Sequence, residues 1–265
     1  MYKYTPMSKN KLKALVKDEN IYLGDIDTSN IIDMSELFRN INRNDFLGIE
    51  KWDTSNVEDM RSMFSHCPNF NQDISSWNVS NVKNMDSMFY DCKNFDQDLS
   101  SWDVSNVKNM NYMFSYCHNF NQPLNDWNVS NVEDMRFMFS HCSNFNQPLN
   151  TWDVSNVRYM NTMFYECENF DQDLSSWDVS NVENMNYMFA HCHKFNQPLN
   201  SWDVSNVENM NSMFYCCENF NQDLSSWDVS NDCDKYSMFK GANISEEQAF
   251  NGELKEQSSK PKKQR

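Results

Sequence analysis

The eight tryptophans of the chain stand at Trp52, Trp77, Trp102, Trp127, Trp152, Trp177, Trp202 and Trp227, each 25 residues after the one before. A single globular core has no reason to space its largest side chain so evenly, whereas a structural unit repeated along the chain does. The 265 residues therefore read as a stack of repeats. A 25-residue unit is too small to bury its own apolar face and must lay it against its neighbours.

One unit, Leu99 to Gln122, carries apolar residues at Leu99, Trp102, Val104, Val107, Met110, Met113, Phe114, Cys117 and Phe120. Trp102 and Val104 are two apart, which predicts a short strand near Ser101 to Val104 with one face inward. From Met110 the spacing becomes i, i+3, i+4, i+7, which predicts about two turns of helix. The fold class expected is an α/β repeat solenoid, leucine-rich-repeat-like, with about nine coils and a parallel sheet along one face. The recurring Ser-Asn pair, from Ser29-Asn30 to Ser230-Asn231, is read as a buried asparagine ladder bonding from coil to coil.

Aligned on the first apolar position, coils start at Leu23, Ile49, Ile74, Leu99, Leu124, Leu149, Leu174, Leu199 and Leu224. The expected organisation is an N-terminal cap over 1–22, nine repeats over 23–240, a C-terminal cap over 241–250 and a disordered basic tail over 251–265. The first cap rests on the amphipathic segment Ser8 to Lys17, and the second on the capping-box pattern Ser245-Glu246-Glu247-Gln248. Capped ends predict a monomer, because they leave no open edge to join another copy.

Formal charge is -16. The tail from Asn251 to Arg265 holds five basic and two acidic residues, a local +3 that leaves -19 on the body. Such a body repels phosphate backbones, so nucleic acid is not an expected partner; a protein surface, or divalent cations, suits it better. No stretch is apolar enough for membrane insertion. The first 30 residues show neither an apolar signal core nor a lipidation cysteine, so an intracellular, reducing compartment is the default expectation.

Two surfaces carry candidate binding residues. The residue after each Trp is Asp or Asn, which places Asp53, Asp103, Asp153, Asp178, Asp203 and Asp228 in a column on the strand face. Stacked carboxylates repel, and Ca²⁺, a basic partner or local hydrogen bonds from the following Ser could each offset that repulsion. The outer helix face carries Tyr112, Tyr116, Phe137, His141, Tyr165, Tyr187, His191 and Tyr215. Aromatic residues there point either to an interface or to packing between coils.

The cysteines Cys67, Cys92, Cys117, Cys142, Cys167, Cys192 and Cys217 recur on the inward face and read as a core column of free thiols. Glu166, His191 and Cys216 share one outward position and form a weak candidate for an adventitious metal site. No phosphate loop, nucleophile elbow or His-Glu metal motif occurs, and every titratable residue belongs to a repeated column. Enzyme activity, cofactors and a dedicated metal centre are therefore not expected.

The run Trp102-Asp103-Val104-Ser105-Asn106-Val107, followed by Met110, Met113-Phe114, Cys117 and Phe120-Asn121-Gln122-Pro123-Leu124, resembles the BspA-like leucine-rich-repeat surface proteins. More narrowly, it resembles the repeat of unknown function first described from mycoplasma lipoproteins. That resemblance implies a leucine-rich-repeat fold and a surface protein engaged in adhesion. The function expected is a non-catalytic protein-interaction module, with a cation-binding adhesin or structural component as the alternative.

Overall fold

The computed structural model describes residues 2–41 and 43–251. The 25-residue units stack as expected, but the parallel-sheet α/β solenoid does not form. Among the described residues the only α-helices are α1 (Lys9–Val16) and α2 (Glu246–Asn251), one at each end of the stack. Strand pairing is reduced to single parallel bridges, running from Asp33 through Asp59, Asn84, Asn109, Asp134, Tyr159, Asn184 and Asn209 to Asp234.

The segment expected to be helical is a run of tight turns. In the coil that starts at Leu99, Met113 N–H bonds to Met110 C=O at 3.1 Å and Cys117 N–H to Phe114 C=O at 2.9 Å. Tyr112 and Tyr116 sit at φ 56° and 63°, in the left-handed region, which no α-helix of L-residues contains. Each left-handed residue turns its own N–H out of the coil. Met110, Tyr112, Phe114 and Tyr116 donate to Asp134, Arg136, Met138 and Ser140 of the next coil at 2.8–3.1 Å. Half of the backbone bonding that a helix would keep to itself thus joins coil to coil. The i, i+3, i+4, i+7 pattern survives because consecutive four-residue turns place the same positions inward.

The expected strand fails for a related reason. Trp102 N–H bonds back to Leu99 C=O at 3.0 Å and Val107 N–H to Val104 C=O at 2.9 Å. Asp103 Oδ1 accepts from Ser105 N–H at 3.0 Å. Turns therefore bracket the pair Trp102 and Val104, leaving too few extended residues for a ladder.

Side chains supply what the sheet would have given. Each Trp indole reaches back one coil, as Trp102 Nε1–H does to Ile74 C=O at 3.1 Å and Trp127 Nε1–H to Leu99 C=O at 2.9 Å. Cysteine thiols do likewise, Cys117 to Phe89 C=O at 3.0 Å and Cys142 to Phe114 C=O at 2.9 Å. Asn106 Nδ2 donates to Ser80 C=O and Asn131 Nδ2 to Ser105 C=O, both at 2.7 Å. That asparagine ladder is exposed, contrary to the expectation that it is buried. A second ladder escaped the sequence reading: Asp96 Oδ1 accepts from Asn121 N–H at 3.0 Å, and Asn121 Oδ1 from Asn146 N–H at 2.9 Å.

The core lies between these ladders. Phe89, Phe114 and Phe139 stack at 5.6 and 5.7 Å, and Phe120 packs on Phe114 at 4.3 Å. Met110, Met113 and Cys117 are fully buried beside them. Truncating one such Phe removes contacts worth about 3–5 kcal/mol.

Both ends are closed. Helix α1 buries Leu12 and Val16, and the buried Arg43 guanidinium fastens it to the first coil. That group donates to Val16 C=O and Asp18 C=O at 3.1 Å and to Ile21 C=O at 2.6 Å, where the negative end of a helix suits a cation. At α2, Ser245 N–H bonds to Gln248 Oε1 at 3.1 Å and Gln248 N–H to Ser245 Oγ at 3.2 Å, so the capping box forms. The expected basic tail lies outside the described residues, apart from Asn251, which ends α2.

Candidate functional site: an aromatic groove on the turn face

The left-handed turns set three outward columns, at two, five and six residues beyond the first Met of each coil. From the third to the eighth coil, the first two columns are matched in size. Tyr112, Phe137 and Tyr187 face Ser115, Ser140 and Ala190, whereas Ser87, Thr162 and Ser212 face Tyr90, Tyr165 and Tyr215. The two positions bracket one turn, Ser115 N–H bonding to Tyr112 C=O at 3.1 Å, so they share one volume and hold one large side chain between them.

In the fourth and fifth coils the middle column shrinks to Ser115 and Ser140, and a groove of ≈590 Å³ lies on this face, with Ser115 in its lining. Tyr112 and Phe137 stack at 4.3 Å on one side and Tyr116 and His141 at 4.1 Å on the other. Tyr90 stands nearly perpendicular to Tyr112 and Tyr116, at 84° and 77°. Tyr165, three coils on, stands at 73° to both His141 and Tyr187.

Six of the eight aromatic candidates, Tyr112, Tyr116, Phe137, His141, Tyr165 and Tyr187, line this groove. They lie on turns rather than on a helix face, and of these six only Tyr187 counts as exposed, at 38%. His191 and Tyr215 continue the columns beyond the groove, His191 contacting Tyr165 at 5.7 Å and Tyr215 at 5.3 Å. The sequence reading missed Tyr90, Ser115, Asn161, Thr162 and Asn186. Tyr90 could have been found, since it occupies the same repeat position as Tyr165 and Tyr215.

The groove wall is uncharged at neutral pH. His141 Nδ1 lies 2.8 Å from Glu166 Oε2, yet burial outweighs that carboxylate and holds the imidazole below its ordinary value. Burial pushes the Tyr165 phenol up to about 12 and the Tyr112 and Tyr116 phenols upward as well. Two buried polar atoms of the lining residues, Ser115 Oγ and Asn186 Oδ1, have no partner among the described residues. Ser115 is 1% exposed, so its hydroxyl is enclosed beneath the aromatic side chains of the groove.

The aspartate column is arranged differently. Asp53, Asp103, Asp153, Asp178, Asp203 and Asp228 are all exposed. Asp53 accepts from Ser55 Oγ and Asp153 from Ser155 Oγ, each at 2.6 Å. Asp103, Asp178 and Asp203 accept the N–H of the Ser two residues on, at 3.0 Å. The repulsion between coils is thus offset locally by turn-capping bonds, two each at Asp53 and Asp153 and one each at Asp103, Asp178 and Asp203. A smaller hollow of ≈450 Å³ lies between Asn156, Arg158, Asn181, Glu183, Asn206 and Glu208 and includes none of the six aspartates. Its Arg158 and Glu183 already pair with one another.

Glu166 turns to His141 rather than to His191 and Cys216, and among the described residues no three His, Cys, Asp or Glu side chains converge as a metal set. The core thiols are free, buried and shifted upward by burial, Cys67 to about 12. No helix among the described residues is long and apolar enough to cross a membrane.

The model of a family described as "Mycoplasma protein of unknown function, DUF285" matches residues 7–115, 32–150, 81–170 and 137–255. Matches that overlap and slide along the chain are what a repeated unit produces. No curated protein matches the chain.

Proposed function

The chain belongs to the mycoplasma repeat family of unknown function DUF285, and on the geometry of its turn face we propose that it is a non-catalytic module that binds a macromolecular partner. The observation that carries this reading is the groove between Tyr90 and Tyr165, walled by the stacked pairs Tyr112–Phe137 and Tyr116–His141. Aromatic side chains and a few convergent polar atoms in a concave surface are the usual composition of a recognition site. A catalytic reading has little to work with: the one imidazole in the groove is held neutral, and the core thiols are kept from forming thiolates. The finer kinship to BspA-like surface proteins, carried by the Trp-Asp-Val-Ser-Asn-Val run, favours adhesion as the setting. The cation-binding alternative is the weaker one, because the aspartate oxygens that would serve it already cap turns.

A test needs a variant that removes the groove and keeps the fold. Exchanging each large-small pair, Tyr112→Ser with Ser115→Tyr and Phe137→Ser with Ser140→Tyr, reproduces the combination already present at Ser87 and Tyr90. The wild-type chain is expected to capture a component of a cell-surface fraction that the exchanged variant loses. Equal capture by the variant refutes the turn face as the contact surface, and capture of nothing by either refutes a binding module.

A further inference from the structure

We propose that the hollow beside the asparagine ladder, over the sixth to eighth coils, binds a linear polyamine laid along the stack. This site is separate from the aromatic groove and goes beyond the binding reading above. The asparagines supply the first argument. Asn156, Asn181 and Asn206 donate from Nδ2 to the carbonyls of Ser130, Ser155 and Ser180 in the preceding coil, each at 2.7 Å. A carbonyl can only accept, so each bond fixes which end of the amide faces it. The three Oδ1 atoms are left over and accept no hydrogen bond among the described residues. All three residues are exposed and line the hollow of ≈450 Å³, so this row of acceptors is open to a ligand that brings donors.

The second argument is charge. The rest of the lining is Arg158, Glu183 and Glu208. Arg158 pairs with Glu183, whereas Glu208 has no ion pair among the described residues, and one Arg against two Glu leaves -1 on a chain of net -16. Earlier in the stack the same column shows what such a position accepts: Lys83 holds its ammonium 2.7 Å from Glu58, and Lys108 holds its own 3.4 Å from Glu133. From the sixth to the eighth coil no lysine fills the column, and an ammonium group from outside meets the same surroundings. A metal ion fits less well, since it needs ligands converging on one point, and among the described residues no three His, Cys, Asp or Glu side chains do so.

The third argument is spacing, which chooses between carriers of ammonium groups. The acceptors recur with the coils, at ~4.8 Å per stacked step. Two nitrogens joined by three carbons lie about 5 Å apart when extended, four bonds of ~1.5 Å shortened by their zigzag. An extended basic peptide presents the same face only every second residue, about 6.6 Å, and so drifts from the row by roughly 2 Å at each coil.

The test is calorimetric titration of the full chain in dilute buffer with norspermidine, a triamine with three-carbon linkers. Beside it stand bis(hexamethylene)triamine, of equal charge with six-carbon linkers, a Lys-rich hexapeptide and Ca²⁺. Norspermidine is expected to saturate the chain and to bind about tenfold more tightly than the six-carbon triamine, the worth of one charge-assisted hydrogen bond. Glu208→Gln should weaken it about threefold and Arg158→Gln strengthen it about threefold, as exposed charges do, with melting temperatures of the free variants close to wild type. The pair-exchanged variant, altered only on the turn face, should bind norspermidine as wild type does. The polyamine assignment is overturned if norspermidine does not saturate the chain, if both triamines bind alike, or if the peptide or Ca²⁺ binds better. Unchanged affinity in Glu208→Gln or Arg158→Gln, or loss of binding in the pair-exchanged variant, overturns the location.

Discussion

Thr162 is a β-branched residue held at φ 61°, the most costly kind of side chain for that region. Its N–H donates to Asn186 C=O at 2.8 Å, so the turn cannot relax without breaking a bond between coils. A left-handed L-residue costs about 1–2 kcal/mol, and Asn tolerates the conformation far better than Thr. Thr162→Asn is therefore expected to stabilise the chain by about 1 kcal/mol, a rise of roughly 2–4 °C in melting temperature for a chain of this size. Thr162→Gly should gain less, because the unfolded chain gains entropy at glycine. Thr162→Ala, still left-handed, should change little. An α-helix in this segment demands the opposite order: Ala would stabilise by a few tenths of a kcal/mol and Gly would be the worst of the three. Urea unfolding followed by tryptophan fluorescence and by circular dichroism reads the difference, the two probes together checking that the stack unfolds as one unit. A ranking with Ala above Asn and Gly would refute the turn assignment and the argument for coil-to-coil bonding with it.

The closure of the first coil depends on Arg43. Replacing it with Met leaves the carbonyls of Val16, Asp18 and Ile21 without their charged donor and should cost about 3 kcal/mol or more, seen as early loss of amide-exchange protection over α1 while the middle coils keep theirs. Acid should act in two windows. Hydrogen bonds from Ser55, Ser105, Ser175 and Ser205 hold the carboxyls of Asp53, Asp103, Asp173 and Asp203 below their usual range; the stabilisation is complete above about pH 4 and is lost as pH falls through the lowered values. Asp86, raised by burial, works against that loss. His141, lowered by burial, adds stability that is complete above its ordinary value of 6.5 and declines as pH falls below it; a His141→Gln variant whose melting temperature still fell between pH 7 and 5 as in wild type would contradict this. A thiol reagent should label the half-buried Cys216 first in the native chain, with the core column labelled only after unfolding; early reaction at Cys117 or Cys142 would refute the thiol-to-carbonyl ladder.

Much of this molecule was legible before any coordinates. The tryptophan period set the repeat and its register. The inward columns of Met, Phe and Cys followed from apolar spacing alone, and the segments at Lys9–Val16 and Glu246–Asn251 showed themselves by amphipathicity and a capping pattern. Of the eight variable aromatic positions, six converge on one groove.

What the coordinates decided was the backbone between those positions. Apolar spacing of i, i+3, i+4, i+7 is satisfied equally by two helical turns and by consecutive four-residue turns, so periodicity could not choose. The usual sign of a left-handed turn, a Gly or Asn, stands in these two turn columns at Asn40 and Gly241, near the ends of the stack, with Gly48 left-handed outside the columns; elsewhere in them Ser, Asp, His, Tyr, Phe, Thr, Glu and Cys occupy the position. That conformation persists because in every coil but the last the left-handed N–H groups of these turns find a carbonyl one coil away, a partner that no local reading of the sequence supplies. The groove has the same origin: it exists because large and small side chains alternate across turns in stacked coils, and only the stacking brings Tyr90, Ser115 and Tyr165 into one wall. Sequence alone determined what repeats and what faces inward; the bonding between coils determined the shape of each coil and what its outer face can hold.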